Sequence, residues 1–231
     1  MFLAGYEGSK RIIPASSWLV AKYIPEGFEV AWLNYGAYQG KLFRGSYVKL
    51  AEEQEGGKDS WCHYLSSYLT TVPDEYIILA LDDYLLNAPL DMGLYSGIFA
   101  RLDLFGCAAA RLCDSSFYDG LDSTIDENFF TLAAESDYTV TTQWTIWRRK
   151  DLVKILGHCT SAWDFEVRGS GYYNGRGMKT LCSRRPALDY QLNSALSPRY
   201  GDKVLGRGIR DLEELIAAGL LAGEEICWIP T

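Results

Sequence analysis

A chain of 231 residues with 48% apolar and 23% charged residues can bury a sizeable core without disulfides or a structural metal. Its net charge of −8, with only the short basic clusters Lys10-Arg11, Arg148-Arg149-Lys150 and Arg184-Arg185, argues against a nucleic-acid surface, though not against one small anion held by local cations. The six cysteines form no C-x-x-C pair and the histidines number two, His63 and His158, which argues against zinc and for reduced thiols in a cytoplasmic protein. No secretion signal is recognised, and no apolar stretch reaches the ~18 residues of a membrane span.

In chain order, "MFLAGYEG" reads as a short buried strand ending at Gly5, and a helix follows over 13–23, stopped by "IPEG". "FEVAWLNYG" (28–36) alternates as a second strand, and 37–58 reads as loop. "KDSWCHYLSSYLTTVP" (58–73) is a helix with Asp59 or Ser60 as N-cap and Trp61, Tyr64, Leu65, Tyr68 and Leu69 on one face. The strand "EYIILALDD" comes next, then a helix over 92–105 and a strand over 106–112. Residues 136–149 are β-rich, 150–156 a short helix, 166–183 Gly-rich and flexible, and 209–221 an amphipathic helix. Strands alternating with helices predict one α/β domain of Rossmann-like type, with a mainly parallel central sheet covered by helices on both faces. The expected domain spans 1–231, divided at about residue 87 into a first half, 1–87, and a second half, 88–231, that includes the C-terminal helix.

The apolar run 76–81 ends on two adjacent carboxylates, Asp82 and Asp83. Like charges repel and each is costly to desolvate, so a cation, a set of donors or water must offset them. Ligands of open α/β sheets gather at the carboxyl ends of the strands. The same edge collects Gly5-Tyr6-Glu7, Asn34-Tyr35-Gly36, and the helix start at Lys58 and Trp61, whose free N–H groups suit a phosphate. These residues make a candidate nucleoside-diphosphate site. Tyr6 or Tyr35 would cover a base, with Glu7, Asn34, Lys58, Trp61 and Asp82 on the donor, and Asp82 and Asp83 would hold Mn²⁺ or Mg²⁺. The competing reading of the two aspartates is a loop start or a helix cap.

The stretch "KDSWCHYLSSYLTTVPDEYIILALDDYLL" resembles the central segment of GT-A-fold nucleotide-sugar glycosyltransferases, in particular small bacterial members with an LDDY-like acidic motif. "YTVTTQWTIWRRKDLVKIL" followed by "SAWDFEVRGS" resembles the family's later block, where a Trp–acidic segment faces the acceptor. The likeness covers roughly residues 1–170. It implies transfer of a sugar from a nucleoside-diphosphate donor to a saccharide or lipid-linked glycan, assisted by a divalent metal at Asp82 and Asp83. It implies Glu166 as the base, with Asp164 orienting the acceptor beside Trp163. The sequence departs from the family in lacking a full Asp-x-Asp, because Leu81 stands two before Asp83, and in having no late histidine ligand.

For Ser161, Asp164 and Glu166 the competing reading is a capped helix start. Arg207 and Arg210, or Arg176 and Lys179, are candidates to neutralise a leaving diphosphate, and part of 169–177 is a candidate lid. Tyr84, the helical stripe Trp61, Tyr64 and Tyr68, and Trp144 and Trp147 read as core. Two further functions stay open: a nucleotidyltransferase, for which "GYEGSKR" is a partial Gly-rich basic loop, and a protein that binds nucleotide sugars or glycans without chemistry. The expected location is cytoplasmic, with a peripheral site at the inner membrane face as an alternative.

Overall fold

The computed structural model describes residues 1–55, 57–113, 115, 122–132, 136, 138–191, 196–197, 203–206, 208–223 and 226–227; of Glu7, Lys58, Asp122, Ser123, Leu196, Ser197, Lys203 and Leu205 only the backbone is described. The first parallel strands are β1 (Phe2–Ala4), β2 (Ala31–Asn34), β3 (Ser46–Lys49) and β4 (Tyr76–Leu81). They are joined through α1 (Ile13–Tyr23) and α2 (Trp61–Thr71). After α3 (Met92–Leu104) come β5 (Ala109–Arg111), β6 (Asp122–Thr124), β7 (Phe129–Leu132) and β8 (Thr145–Arg148). The chain continues through α4 (Arg149–Leu156), α5 (Ala162–Gly175) and β9 (Thr180–Ser183). Near the C-terminus, β10 (Leu196–Ser197), β11 (Lys203–Leu205) and β12 (Ile226–Cys227) form a small separate sheet, with α6 (Leu212–Ala217) between the last two in sequence.

The main sheet has nine strands in the order β3-β2-β1-β4-β8-β5-β9-β7-β6. Its pairings leave β7 and β8 running against the other strands, so the sheet is mainly parallel. Both faces are covered, because residues alternate along each strand. Leu3, Ile78 and Ala80 enter one core with Ile13, Leu19, Ile98 and Leu102 from α1 and α3. Phe2, Ala4, Ile77 and Leu79 enter the other, with Leu65, Leu69, Leu152 and Phe165 from α2, α4 and α5. Burial on both faces is why "YIILAL" is a continuous apolar run rather than an alternating one.

Three segments differ from the sequence expectation. The stretch read as loop contains β3, an edge strand whose residues are half-buried or exposed and so carry little apolar signal. The β-rich segment yields only β8; residues 138–144 are turns and bends that cross the carboxyl edge of the sheet. The Gly-rich stretch expected as flexible, with a candidate lid, is the second half of α5 followed by β9. Gly169 explains this: a Cβ there would lie 3.1 Å from Ile155 and 3.5 Å from Cys159 and Val140, so its small size lets α5 close onto α4.

Gly45, at the turn into β3, has φ +88°, and a Cβ there would come within 2.5 Å of the Val30 carbonyl oxygen. Gly45→Ala should therefore lower the urea midpoint by the equivalent of about 1–3 kcal/mol. Gly27→Ala, where an added Cβ meets nothing, should leave the midpoint within about 0.5 kcal/mol. Equal effects at the two positions would disprove the strain at Gly45.

Candidate active site

The order β3-β2-β1-β4 puts a topological switch between β1 and β4: the chain leaves β1 toward β2, while β4 pairs on β1's other side. Crevices of this kind receive ligands at the carboxyl ends of the strands. Asp82 stands there, its N–H donating to the Ala4 carbonyl at 3.2 Å. The approach is so close that a Cβ on Gly5 would fall 1.9 Å from Asp82 Oδ2 and 2.4 Å from Ser9 Oγ. Glycine is the one residue that fits between this carboxylate and the turn after β1.

Asp82 and Asp83 are 1% and 2% exposed. Asp82 Oδ2 accepts from Ser9 Oγ at 2.7 Å and from Asn34 Nδ2 at 3.4 Å. Ser9 has one proton for two acceptors, since the Tyr6 carbonyl lies 2.8 Å from the same oxygen. Asp82 Oδ1 is buried and meets no hydrogen-bond partner among the described residues. Burial first, and the negative charge of Asp83 second, raise the pKa of Asp82; the Ser9 and Asn34 bonds offset only part of this. A divalent cation fits this environment. It would supply the missing partner for Oδ1 and relieve the repulsion between the carboxylates. Among the described residues no cluster of three or more His, Cys, Asp or Glu side chains could ligate a metal, so the other positions would fall to ligand oxygens and water, as Mg²⁺ sites commonly arrange.

The remaining donor-side residues divide by burial. Tyr6 is partly exposed, its ring lying over Gly8, where a Cβ would come within 2.7 Å of Tyr6 Cε2. Asn34 is fully buried and spends its amide on the Tyr6 carbonyl, Ser9 and Asp82, so it positions the loop and the carboxylate. Trp61 is 3% exposed and packs on Phe165, and Tyr35 is buried against Tyr64, the environment of core aromatic residues. The first turn of α2 is also partly spent, because Cys62 N donates to the Thr160 carbonyl. The Glu7 and Lys58 side chains and Arg207 lie outside the described residues. Arg210 pairs with Asp189 at 3.3 Å.

Sequence reasoning did not find the link between the two acidic stretches. Glu166, half-buried on α5, accepts at Oε1 from Thr142 N at 2.8 Å, Thr142 Oγ1 at 2.8 Å and Thr141 Oγ1 at 3.2 Å. The Thr142 carbonyl accepts from Leu81 N at the tip of β4, the residue before Asp82. One residue thus ties Glu166 to the strand that carries the aspartates. Asp164 is engaged differently. Ser161 caps α5 by accepting from Asp164 N at 3.0 Å, and the Asp164 carboxylate accepts from Thr160 N at 2.9 Å, so the capped-helix reading holds for these two. Trp163, one turn before Glu166, is 66% exposed and lies 6.4 Å from the half-exposed ring of Tyr138. Tyr138 has φ +52°, the single non-glycine residue with positive φ among those described, and its carbonyl accepts from the buried Arg111 guanidinium.

No protein-family model and no curated protein matches the sequence. Solved structures do resemble it. UDP-glucose pyrophosphorylase complexed with UDP-glucose superposes with a TM-score of 0.53 at 7% identity, covering 95% of this chain and 100% of that one. S. aureus TarS 1-349 in complex with UDP gives 0.51 at 12% identity over 82% of this chain, and its complex with UDP-GlcNAc gives 0.51 at 13% over 94%. The chain spans 58% and 65% of those two TarS chains. At these identities the likeness establishes the fold: a Rossmann-like α/β domain of the GT-A type.

The raised pKa of Asp82 sets a stability prediction. The folded state holds this proton more tightly than the unfolded chain, so that contribution is complete below the ordinary carboxylate range and fades as pH rises toward the folded-state value. Asp82→Asn replaces a carboxyl that must take up a proton on folding at neutral pH with a side chain that is neutral in both states. It should raise the melting midpoint of the ligand-free protein at neutral pH by about 2–4 °C, equivalent to about 1 kcal/mol. The gain should shrink toward about pH 5. A lower midpoint at neutral pH would show that the charge is already balanced within the protein.

Proposed function

We propose that this chain is a nucleotide-sugar-dependent glycosyltransferase that moves a sugar from a nucleoside-diphosphate donor to a hydroxyl of a saccharide or lipid-linked glycan, with inversion. The observation that carries the proposal is the pair of buried carboxylates at the switch point, one oxygen unanswered, joined through Thr142 to a second, half-buried carboxylate. Asp82 and Asp83 would hold Mn²⁺ or Mg²⁺, whose chemistry is to neutralise the donor's diphosphate. Glu166 Oε1 is occupied by three donors, which leaves Oε2 to take a proton. In the proposed step Oε2 takes the acceptor hydroxyl proton as that oxygen bonds to the anomeric carbon. The carbon–oxygen bond to the diphosphate breaks, and the diphosphate leaves with the electron pair. Trp163 and Tyr138 offer aromatic faces to a sugar ring on the acceptor side.

The solved neighbours bound to UDP, UDP-glucose and UDP-GlcNAc support a nucleotide-sugar donor. Among the described residues no helix is long and apolar enough to cross a membrane. A cytoplasmic site of action belongs to the proposal.

One observation favours a second reading, nucleotidyl transfer to a sugar phosphate. Lys10 stands on the turn after β1, next to Ser9, and its ammonium is paired with Glu53 at 2.8 Å beside Gly36 at the end of β2. Release of pyrophosphate from a nucleoside triphosphate would identify that reaction.

Thermal unfolding with UDP, GDP, dTDP and CDP sugars, each with Mn²⁺, Mg²⁺ or EDTA, tests the donor site. A donor at 100 times its Kd should stabilise the native state by about 2.7 kcal/mol. The shift should vanish with EDTA and in Asp83→Ala; a shift that survives both removes the metal from the proposal. Glu166→Gln should reduce kcat by about 10²–10⁴-fold while the donor-induced shift persists, and full turnover in that variant would remove Glu166 as the base.

A further inference from the structure

The stretch that carries the two aspartates also reaches the candidate base. Tyr84, two residues past Asp82, is buried, and its hydroxyl lies 3.1 Å from Thr142 Oγ1. Distance alone leaves the donor undecided, but the proton count resolves it. Thr142 has one hydroxyl proton and gives it to Glu166 Oε1 at 2.8 Å, the direction that the proposed role of Glu166 as base requires. The phenol must therefore donate to Thr142, and the bonds run in one direction: Tyr84 to Thr142 to Glu166. Polarised chains of this kind strengthen one another where water is excluded.

The backbone fixes both ends. Trp144 Nε1 donates to the Tyr84 carbonyl at 3.3 Å, and Leu81 N donates to the Thr142 carbonyl at 3.1 Å. Tyr84 N donates in turn to the Leu81 carbonyl at 3.4 Å, so the turn 81–84 closes on itself while holding the 142–144 segment.

We infer that Tyr84 and Thr142 are positioning residues: they pin Oε1 of Glu166, turn Oε2 toward an acceptor, and hold the base in register with Asp82 and Asp83. This inference rests on the transferase reading given above. It explains why a tyrosine follows the aspartates at a position where packing alone would be served by phenylalanine. The role lies in orientation, since neither side chain needs to touch donor or acceptor.

The test uses the full chain carrying Thr142→Val, Thr142→Ser, Tyr84→Phe and Glu166→Gln, each measured for turnover, donor KM and melting midpoint. Thr142→Val should lower kcat by about 10–100-fold and Tyr84→Phe by about 3–10-fold, the loss of one or two oriented hydrogen bonds, with donor KM within about twofold. Thr142→Ser keeps the hydroxyl and should restore at least half of the wild-type kcat. A cycle of Thr142→Val with Glu166→Gln, read on the melting midpoint, should be non-additive whether or not an acceptor has been found. Additive midpoints, unchanged kcat in Thr142→Val, or a fall that serine does not restore would overturn the inference. If Glu166→Gln itself keeps full turnover, the transferase base has failed. If Glu166 is required while Thr142→Val is fully active, only the positioning role has failed.

Discussion

A carboxylate buried in a turn beside a second carboxylate constrains everything around it. Removing such a group from water costs several kcal/mol even after the protein relaxes. A neutral hydrogen bond returns about 1 kcal/mol net. Ser9 and Asn34 together, with the latter at 3.4 Å, therefore do not balance Asp82. The remainder must come from a bound proton or a bound cation, and these compete for the same oxygens. The missing Cβ at Gly5, the turn through Ser9 and the burial of Asn34 all follow from keeping this carboxylate where the strands β1 and β4 end.

The second acidic site is built on the opposite principle. Glu166 keeps partial contact with solvent, and donors saturate one of its oxygens and leave the other. In the proposed reaction one carboxyl environment would serve a cation, the other a proton in transit. Chemistry that needs both a neutralised leaving group and an activated hydroxyl requires two such unlike sites on one strand edge. Here the edge is supplied by parallel strands, and the turns of 138–144 bring the second site to it.

Much of this was legible before the fold. The apolar run before Asp82 marked a strand buried on both faces, and its abrupt end put two carboxylates at the strand's carboxyl tip. The helices α1 to α4 were visible in periodicity and in their stop signals, "IPEG", Pro73 and Gly157. Three things were hidden for physical reasons. β3 lies at the sheet edge and needs little apolar surface. Gly169 looked like flexibility because sequence shows the absence of a side chain but not the neighbour that requires it. Thr142 was invisible because a threonine in a Thr-rich run has no signature, and its partners stand 24 and 58 residues away. Trp61 carried two readings, a donor contact from its place at a helix start and a core residue from its spacing, and its burial against Phe165 matches the packed face.

The antiparallel strand β8 has a consequence for how the protein can be divided. It is made from residues 145–148, yet it inserts between β4 and β5 and pairs with both. A fragment ending near residue 87 would carry Asp82 and Asp83 but expose the whole β4 edge, with Ile77 and Leu79 stripped of partners from β8 and α4. Such an edge invites pairing with another chain. Residues 1–87 carry the proposed donor site without being a half of the fold, and any exchange of that segment must carry β8 along with β4.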